Sequence, residues 1–290
     1  MQGPGLAARA GGLIRLIHPF PSLLDGVVVL AVALVAGAWL TTAALLGLAM
    51  TALQAAIGAL NDLVDAPHDE GRKRGKPIPA GLVSRGLTRS AIATAAGVGL
   101  ALTAVASPAE PAVARIMMVG LAVVGLGIGA SYDLGAKGTA WSWLPFAVGI
   151  PLLPVFGWYG AAGSLPIWFA VLVPMAGLAG AGLAIANARA DLERDREAGV
   201  GSVAVRLGSA ASWLMHAGLL GIAAAMAVGW LVAAGTTLPA VALVASGLAV
   251  IGWGLWIGRA GDAGRRERAW QLEAVGTAVV AVGWLASAAG

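Results

Sequence analysis

Along the chain, apolar runs of about 20 residues alternate with short polar gaps, and about 20 apolar residues are what a helix needs to cross a bilayer. By that ruler about nine spans emerge, at 22–39, 42–64, 88–106, 112–131, 141–160, 166–188, 209–233, 238–257 and 269–288. The pattern predicts an all-α polytopic membrane protein, read as one transmembrane domain over residues 1–290. Pro145, Pro151 and Pro154 interrupt the fifth span, which is expected to be kinked or broken. Such breaks are tolerated where the backbone is packed or lines a cavity. Residues 1–21 hold Arg9 and Arg15 but no long apolar core, so they read as a cytoplasmic N-terminal segment rather than a signal peptide.

Composition agrees with the pattern. The 290 residues are 59% hydrophobic and only 11% charged, which a soluble domain does not need. There is no cysteine, so disulfides, thiolate catalysis and cysteine metal sites are excluded. His18 precedes Pro19 and reads as interfacial, His68 as a solvated loop residue, and His216 as a satisfied core histidine. The net charge of +4 does not point to nucleic acid, because the basic residues sit in short gaps between apolar runs. They cluster at the N-terminus and in the gaps after spans two, four, six and eight, while the other gaps and the C-terminus carry almost none. The positive-inside rule then places the N-terminus in the cytoplasm and the C-terminus outside, as an odd number of spans requires.

Charge becomes informative in two places. Residues 61–69 read Asn-Asp-Leu-Val-Asp-Ala-Pro-His-Asp, and Asn61, Asp65 and Asp69 recur as Asn187, Asp191 and Asp195, each 126 residues later. Eight of the fourteen acids fall in 62–70 and 191–197. Positions i, i+4 and i+8 line one helix face, so each triplet forms a stripe, and Pro67 is expected to end the first helix and leave Asp69 on the loop. Carboxylates so close repel one another unless cations are present, and oxygen donors suit a hard ion, most naturally Mg²⁺. Mg²⁺ prefers one or two carboxylates together with waters and phosphate oxygens, so two stripes flanked by arginine and lysine suggest a diphosphate site. The offset also suggests an internal repeat with motifs at 61–69 and 187–195.

With these motifs the chain resembles the UbiA superfamily of intramembrane prenyltransferases. The resemblance is carried by residues 61–69, by Gly-Lys-Pro-Ile-Pro-Ala-Gly-Leu-Val-Ser at 75–84, and by Asn-Ala-Arg-Ala-Asp-Leu-Glu-Arg-Asp-Arg-Glu-Ala-Gly at 187–199 running into Val-Arg-Leu-Gly at 205–208. Tyr132-Asp133-Leu134-Gly135-Ala136-Lys137 is similar to a further family segment. The resemblance implies a helical bundle around a central cavity, a prenyl diphosphate donor and Mg²⁺. It implies that Asn61, Asp65, Asp69, Asp191 and Asp195 are ligands of metal or metal-bound water, with Asn187 supporting the second stripe. Asp62, about 100° round the helix from Asn61, is counted with the metal set. Lys76 stands where many relatives have arginine and keeps the charge without the bidentate fork.

The chemistry implied is stabilisation of the leaving diphosphate by Mg²⁺ and basic side chains, with a lipophilic or aromatic, quinone-precursor acceptor attacking the allylic carbon. Lys137, Arg72 and Lys76 are the basic candidates, and Tyr132 faces the cation with its ring or hydrogen-bonds the diphosphate. Lys137 and Arg72 serve equally well as positive-inside anchors. Two other readings stay open: a UbiA-type terpene cyclase, which uses the same ionisation site, and a cation transporter using the acidic stripes.

Overall fold

Within a bilayer no water satisfies backbone N–H and C=O groups, so a span must close its own hydrogen bonds as helix. The protein, described here by a computed structural model over residues 5–69, 75–107 and 112–289, does so throughout, with no strand among the described residues. In order the helices are α1 (Leu6–Leu16), α2 (Pro19–Val35), α3 (Leu40–Asp69), α4 (Arg85–Ala106) and α5 (Ala112–Ser131), which runs into a π-helical turn (Tyr132–Ala136). Then come α6 (Leu144–Ala162), α7 (Phe169–Ala190), α8 (Leu192–Glu197), α9 (Val203–Ala234), α10 (Leu238–Gly258) and α11 (Ala263–Ala289). Among the described residues eight helices are long and apolar enough to cross a membrane alone, and the bent pair α1–α2 makes up to nine.

Several predicted boundaries shift. The first span begins earlier and is shorter, because Pro19 opens α2 at its first turn and α1 meets it at 54°. α6 keeps its helical run through Pro151 and Pro154. Those prolines leave the carbonyls of Ala147 and Ile150 without their usual donors, and small residues of α7 pack against this stretch. A Cβ at Gly177 would lie 3.2 Å from the Ala147 oxygen. α9 begins before the predicted span but bends at Gly208, whose φ of 78° is left-handed, so the regular helix starts where the apolar pattern does.

The chain divides into two compact units. Unit 1 comprises Met1–Leu134 with Phe156–Gly163. Its α2 and α3 meet at Gly26 and Gly47, where a Cβ on either would come within 2.8 Å of the other's carbonyl oxygen. Small residues at such a crossing let the backbones approach, which drives helix association in lipid. α1 lays Leu16 onto Ala59 of α3 and onto Val83, with Leu13, Ile78 and Leu82 around them, so the 77–83 segment is held beneath α1.

Unit 2 comprises Gly135–Val155 with Ser164–Gly290. Here α10 and α11 form a tight hairpin with glycines along the seam. A Cβ at Gly247 or Gly276 would lie 2.7 Å from the other's carbonyl oxygen, and one at Gly254 would lie 2.9 Å from the Ala269 oxygen. α7 packs on α9 at Gly182, close to the His216 carbonyl and Leu220.

Candidate active site

The first motif occupies the last turns of α3. The helix does not end at Pro67 but continues to Asp69, which is a correction to the loop expected there. A proline one turn from a helix terminus costs little beyond one hydrogen bond, and its own φ is helical. Asn61, Asp65 and Asp69 therefore do share one helix face. Asp62 is 2% exposed and Asp69 6% exposed, while Asn61 and Asp65 are half-buried. His68 is exposed on the last turn of α3 rather than on a loop.

Burying these carboxylates demands counter-charge, and the chain supplies part of it from distant segments. The Lys76 ammonium donates to Asp62 Oδ1 and lies 3.9 Å from Asp69 Oδ2. His18 Nε2 meets the same Asp62 oxygen at 2.8 Å. His18 is thus drawn from the interfacial role its sequence context suggests into the motif itself. It caps the α1–α2 bend at φ 46° and is the one non-glycine residue with positive φ among those described. The second Asp62 oxygen has no hydrogen-bond partner among the described residues.

Asn61 donates its amide N–H to Asp133 Oδ1 at 2.7 Å, so the amide oxygen is the atom it presents to a ligand. Asp133 is buried in the π-helical turn that also holds the half-buried Tyr132. Such turns recur at functional sites because the extra residue redirects side chains. In this unit Asp62 contacts both Lys76 and His18, Lys76 also approaches Asp69, and Asp133 is reached by Asn61. Arg72, Lys73 and Arg74 lie outside the described residues.

The second motif is built differently. Asn187 sits in the last turn of α7, Asp191 at the break after it, and Asp195 within α8. The expected single stripe is therefore bent at Asp191, whose φ of −100° and ψ of 5° leave the helix. One hydrogen bond carries the helical register across: Asp195 N–H donates to the Asp191 carbonyl at 2.8 Å. Asp191 pairs with Arg194 three residues on, both partly exposed. Glu193 accepts from Arg266 of α11. Burial works against the Glu193 carboxylate, but the Arg266 and backbone hydrogen bonds and the Arg266 and Arg196 charges outweigh it, so its pKa falls below the ordinary glutamate value.

Lys137 follows the π-helical turn and is half-buried. Its neighbour Gly138, at φ 78°, packs on Val200, a Cβ there lying 3.1 Å from Val200 Cγ1. Val200 in turn donates its N–H to the Asp195 carbonyl at 2.8 Å. The Lys137 loop thus abuts the segment that follows the second motif. His216 is the buried histidine its context suggests, with Nδ1 at 3.1 Å from the Ser212 carbonyl and Nε2 at 3.6 Å from Glu273.

The donor set suits a hard divalent ion. It is made of carboxylate and amide oxygens. Among the described residues no three carboxylate or histidine side chains form a ready-made cage.

Sequence reasoning missed His18 and Asp133. Both had a signal: His18-Pro19 at a membrane entry, and an acid inside the Tyr132–Lys137 segment. Their partners lie 44 and 72 residues away, which no local pattern reveals.

The family model for UbiA prenyltransferases matches residues 23–286. No curated protein matches the chain. The fold is similar to the apo structure of a UbiA homologue from Aeropyrum pernix K1, with a TM-score of 0.71 at 19% identity over 90% of this chain and 96% of that one. It is similar to a structure concerned with digeranylgeranylglyceryl phosphate synthase in membranes, with a TM-score of 0.68 at 15% identity over 97% and 98%. A UbiA homologue from Archaeoglobus fulgidus bound to GPP and Mg²⁺ gives a TM-score of 0.63 at 16% identity over 96% and 99%. At these identities the likeness is one of fold.

Proposed function

The chain belongs to the UbiA prenyltransferase family, and from that premise we propose that it is a Mg²⁺-dependent enzyme moving a polyprenyl group from a prenyl diphosphate to a lipophilic acceptor. It is an integral multi-pass membrane protein. The observation that carries the reading is the recurrence of one spacing, Asn61, Asp65 and Asp69 on a single face of α3 and Asn187, Asp191 and Asp195 at the α7–α8 junction. A GPP- and Mg²⁺-bound relative of the same fold supports the donor class.

Asn61, Asp65 and Asp69 in unit 1, and Asp191 and Asp195 in unit 2, are the metal or metal-water ligands, with Asn187 in support. Each triplet would hold Mg²⁺, which would supply neutralising charge to the leaving diphosphate. Asp62 holds Lys76 by its ammonium and thereby aims it, rather than offering both oxygens to metal. Lys76, Lys137 and Arg72 stabilise the leaving group, and Tyr132 turns its ring or hydroxyl to the donor. The allylic C–O bond breaks with its electron pair passing to the diphosphate. The acceptor's electron pair closes the new bond, and its proton is released to solvent.

An aromatic, quinone-precursor acceptor is the expected class, making the enzyme a transferase of alkyl or aryl groups other than methyl. The duplicated motif supports reading the chain as one prenyltransferase domain with an internal repeat, one motif in each unit. The charge bias supports an N-terminus in the cytoplasm and a C-terminus outside the cytoplasmic membrane.

The test is incubation of membranes with geranyl diphosphate, Mg²⁺ and added phenolic acceptors, followed by diphosphate assay and mass spectrometry of lipid extracts. A prenylated acceptor and released diphosphate are expected. A cyclic hydrocarbon formed without acceptor would instead assign a cyclase, and ion flux in vesicles without diphosphate release would assign a transporter.

A further inference from the structure

We propose that Arg189 and Arg266 are positioning residues for the second acidic motif, tying the two flanks of the Asp191 break to α10 and α11. The inference rests on the reading of Asn187, Asp191 and Asp195 as a metal-binding motif. α8 has six residues, too few to hold a helix by its own hydrogen bonds. Something outside it must fix Asp191 and Asp195.

Two buried arginines hold the flanks of the break. Arg189, two residues before Asp191, is 2% exposed and donates from both terminal nitrogens to the Gly258 carbonyl at the end of α10, at 3.4 and 3.3 Å. Arg266, on α11, is 6% exposed and donates to Glu193, two residues after Asp191. Glu273 lies seven residues beyond Arg266, on the same face of α11, and is 1% exposed. It adds a buried negative charge to the group. Gly254 leaves it room, since a Cβ there would lie 2.7 Å from Glu273 Cγ.

The arrangement joins α7, α8, α10 and α11 at one point, two residues to each side of Asp191. Apolar side chains of the same size would pack there without the cost of desolvating charge. What charge adds is direction: a guanidinium fixes its acceptor in distance and angle. The acceptors here are the end of α10 and the residue midway between Asp191 and Asp195.

The experiment is calorimetric titration of detergent-solubilised full-length protein with geranyl diphosphate at several Mg²⁺ concentrations, alongside thermal unfolding without Mg²⁺. Glu193→Ala, at a half-exposed position, is expected to raise the Mg²⁺ concentration for half-maximal binding roughly 10- to 100-fold, as loss of a supporting contact does at metal sites, while the unfolding temperature holds. Arg266→Met is expected to do the same, Arg266→Lys to recover part of the loss, and the Glu193→Ala/Arg266→Met double variant to be no worse than the worse single variant. A wild-type Mg²⁺ requirement in Glu193→Ala would overturn this inference alone, as would a fallen unfolding temperature with no change in that requirement. Mg²⁺-independent binding by the wild-type protein would instead sink the metal reading beneath it.

Discussion

Asn61, Asp65 and Asp69 ride one uninterrupted helix, whereas Asn187, Asp191 and Asp195 straddle the end of one helix and the start of another. In and beside the first triplet Asp69 and Asp62 are buried, and the contacts come from other segments, through His18, Lys76 and Asp133. The second sits nearer water and takes a local arginine, Arg194, within one turn. Identical spacing is thus realised with two different strategies for tolerating repulsion. Where the site is buried, the chain must import partners to fixed positions. Where it is wet, neighbours in sequence suffice and distant residues are needed only to hold the backbone. Spacing alone therefore marks candidate ligands but says nothing about what keeps them in place.

The comparison breaks most sharply if the two motifs do not share one chemistry. Asp65→Asn and Asp191→Asn are each expected to lower Mg²⁺-dependent turnover roughly 10²–10³-fold, the scale on which loss of one charge-stabilising group acts. Membrane insertion and unfolding temperature should hold, and a chelator should abolish wild-type turnover without unfolding the protein. Normal turnover in either variant would show that one triplet is decorative.

Next in size is the contrast in counter-charge. Lys76→Met leaves Asp62 buried with one cation fewer and is expected to cost about 3–5 kcal/mol, read as a lowered unfolding transition in detergent. Arg194→Ala removes an exposed ion pair and is expected to cost under about 1 kcal/mol. Similar losses at the two positions would erase the distinction between a buried and a wet motif.

The smallest expected effect concerns the asparagines. Asn61→Ala removes a hydrogen bond to the buried Asp133 and is expected to destabilise by about 1 kcal/mol. Asn187, which makes no side-chain hydrogen bond among the described residues, is expected to tolerate the same change with a smaller shift.

The span pattern made the helical architecture legible because lipid leaves a chain few choices. Even the start of the regular part of α9 follows the apolar run, since Gly208 breaks the helix at the last residue of Val-Arg-Leu-Gly. The acids were legible from composition, as charge is rare in this chain. The helix continuing through Pro67 was not, because the cost of one proline near a terminus is too small to decide the matter. Nor was the break at Asp191: six helical residues flank it, and the forces that hold them come from α10 and α11. His18 and Asp133 were hidden for the same reason, their roles being set by tertiary neighbours rather than by spacing.

The buried Glu273 also bears on how the protein is made. An acid in the midst of an apolar helix enters a bilayer at a cost of a few kcal/mol if it enters alone. Synthesis runs from the N-terminus, so Arg189 of α7 and His216 of α9 are already present when α11 emerges. α10 follows α9 immediately, and the glycine seam is ready before its partner arrives. The last helix therefore enters a pre-assembled, pre-charged slot, and the order of the chain is itself part of what makes Glu273 affordable.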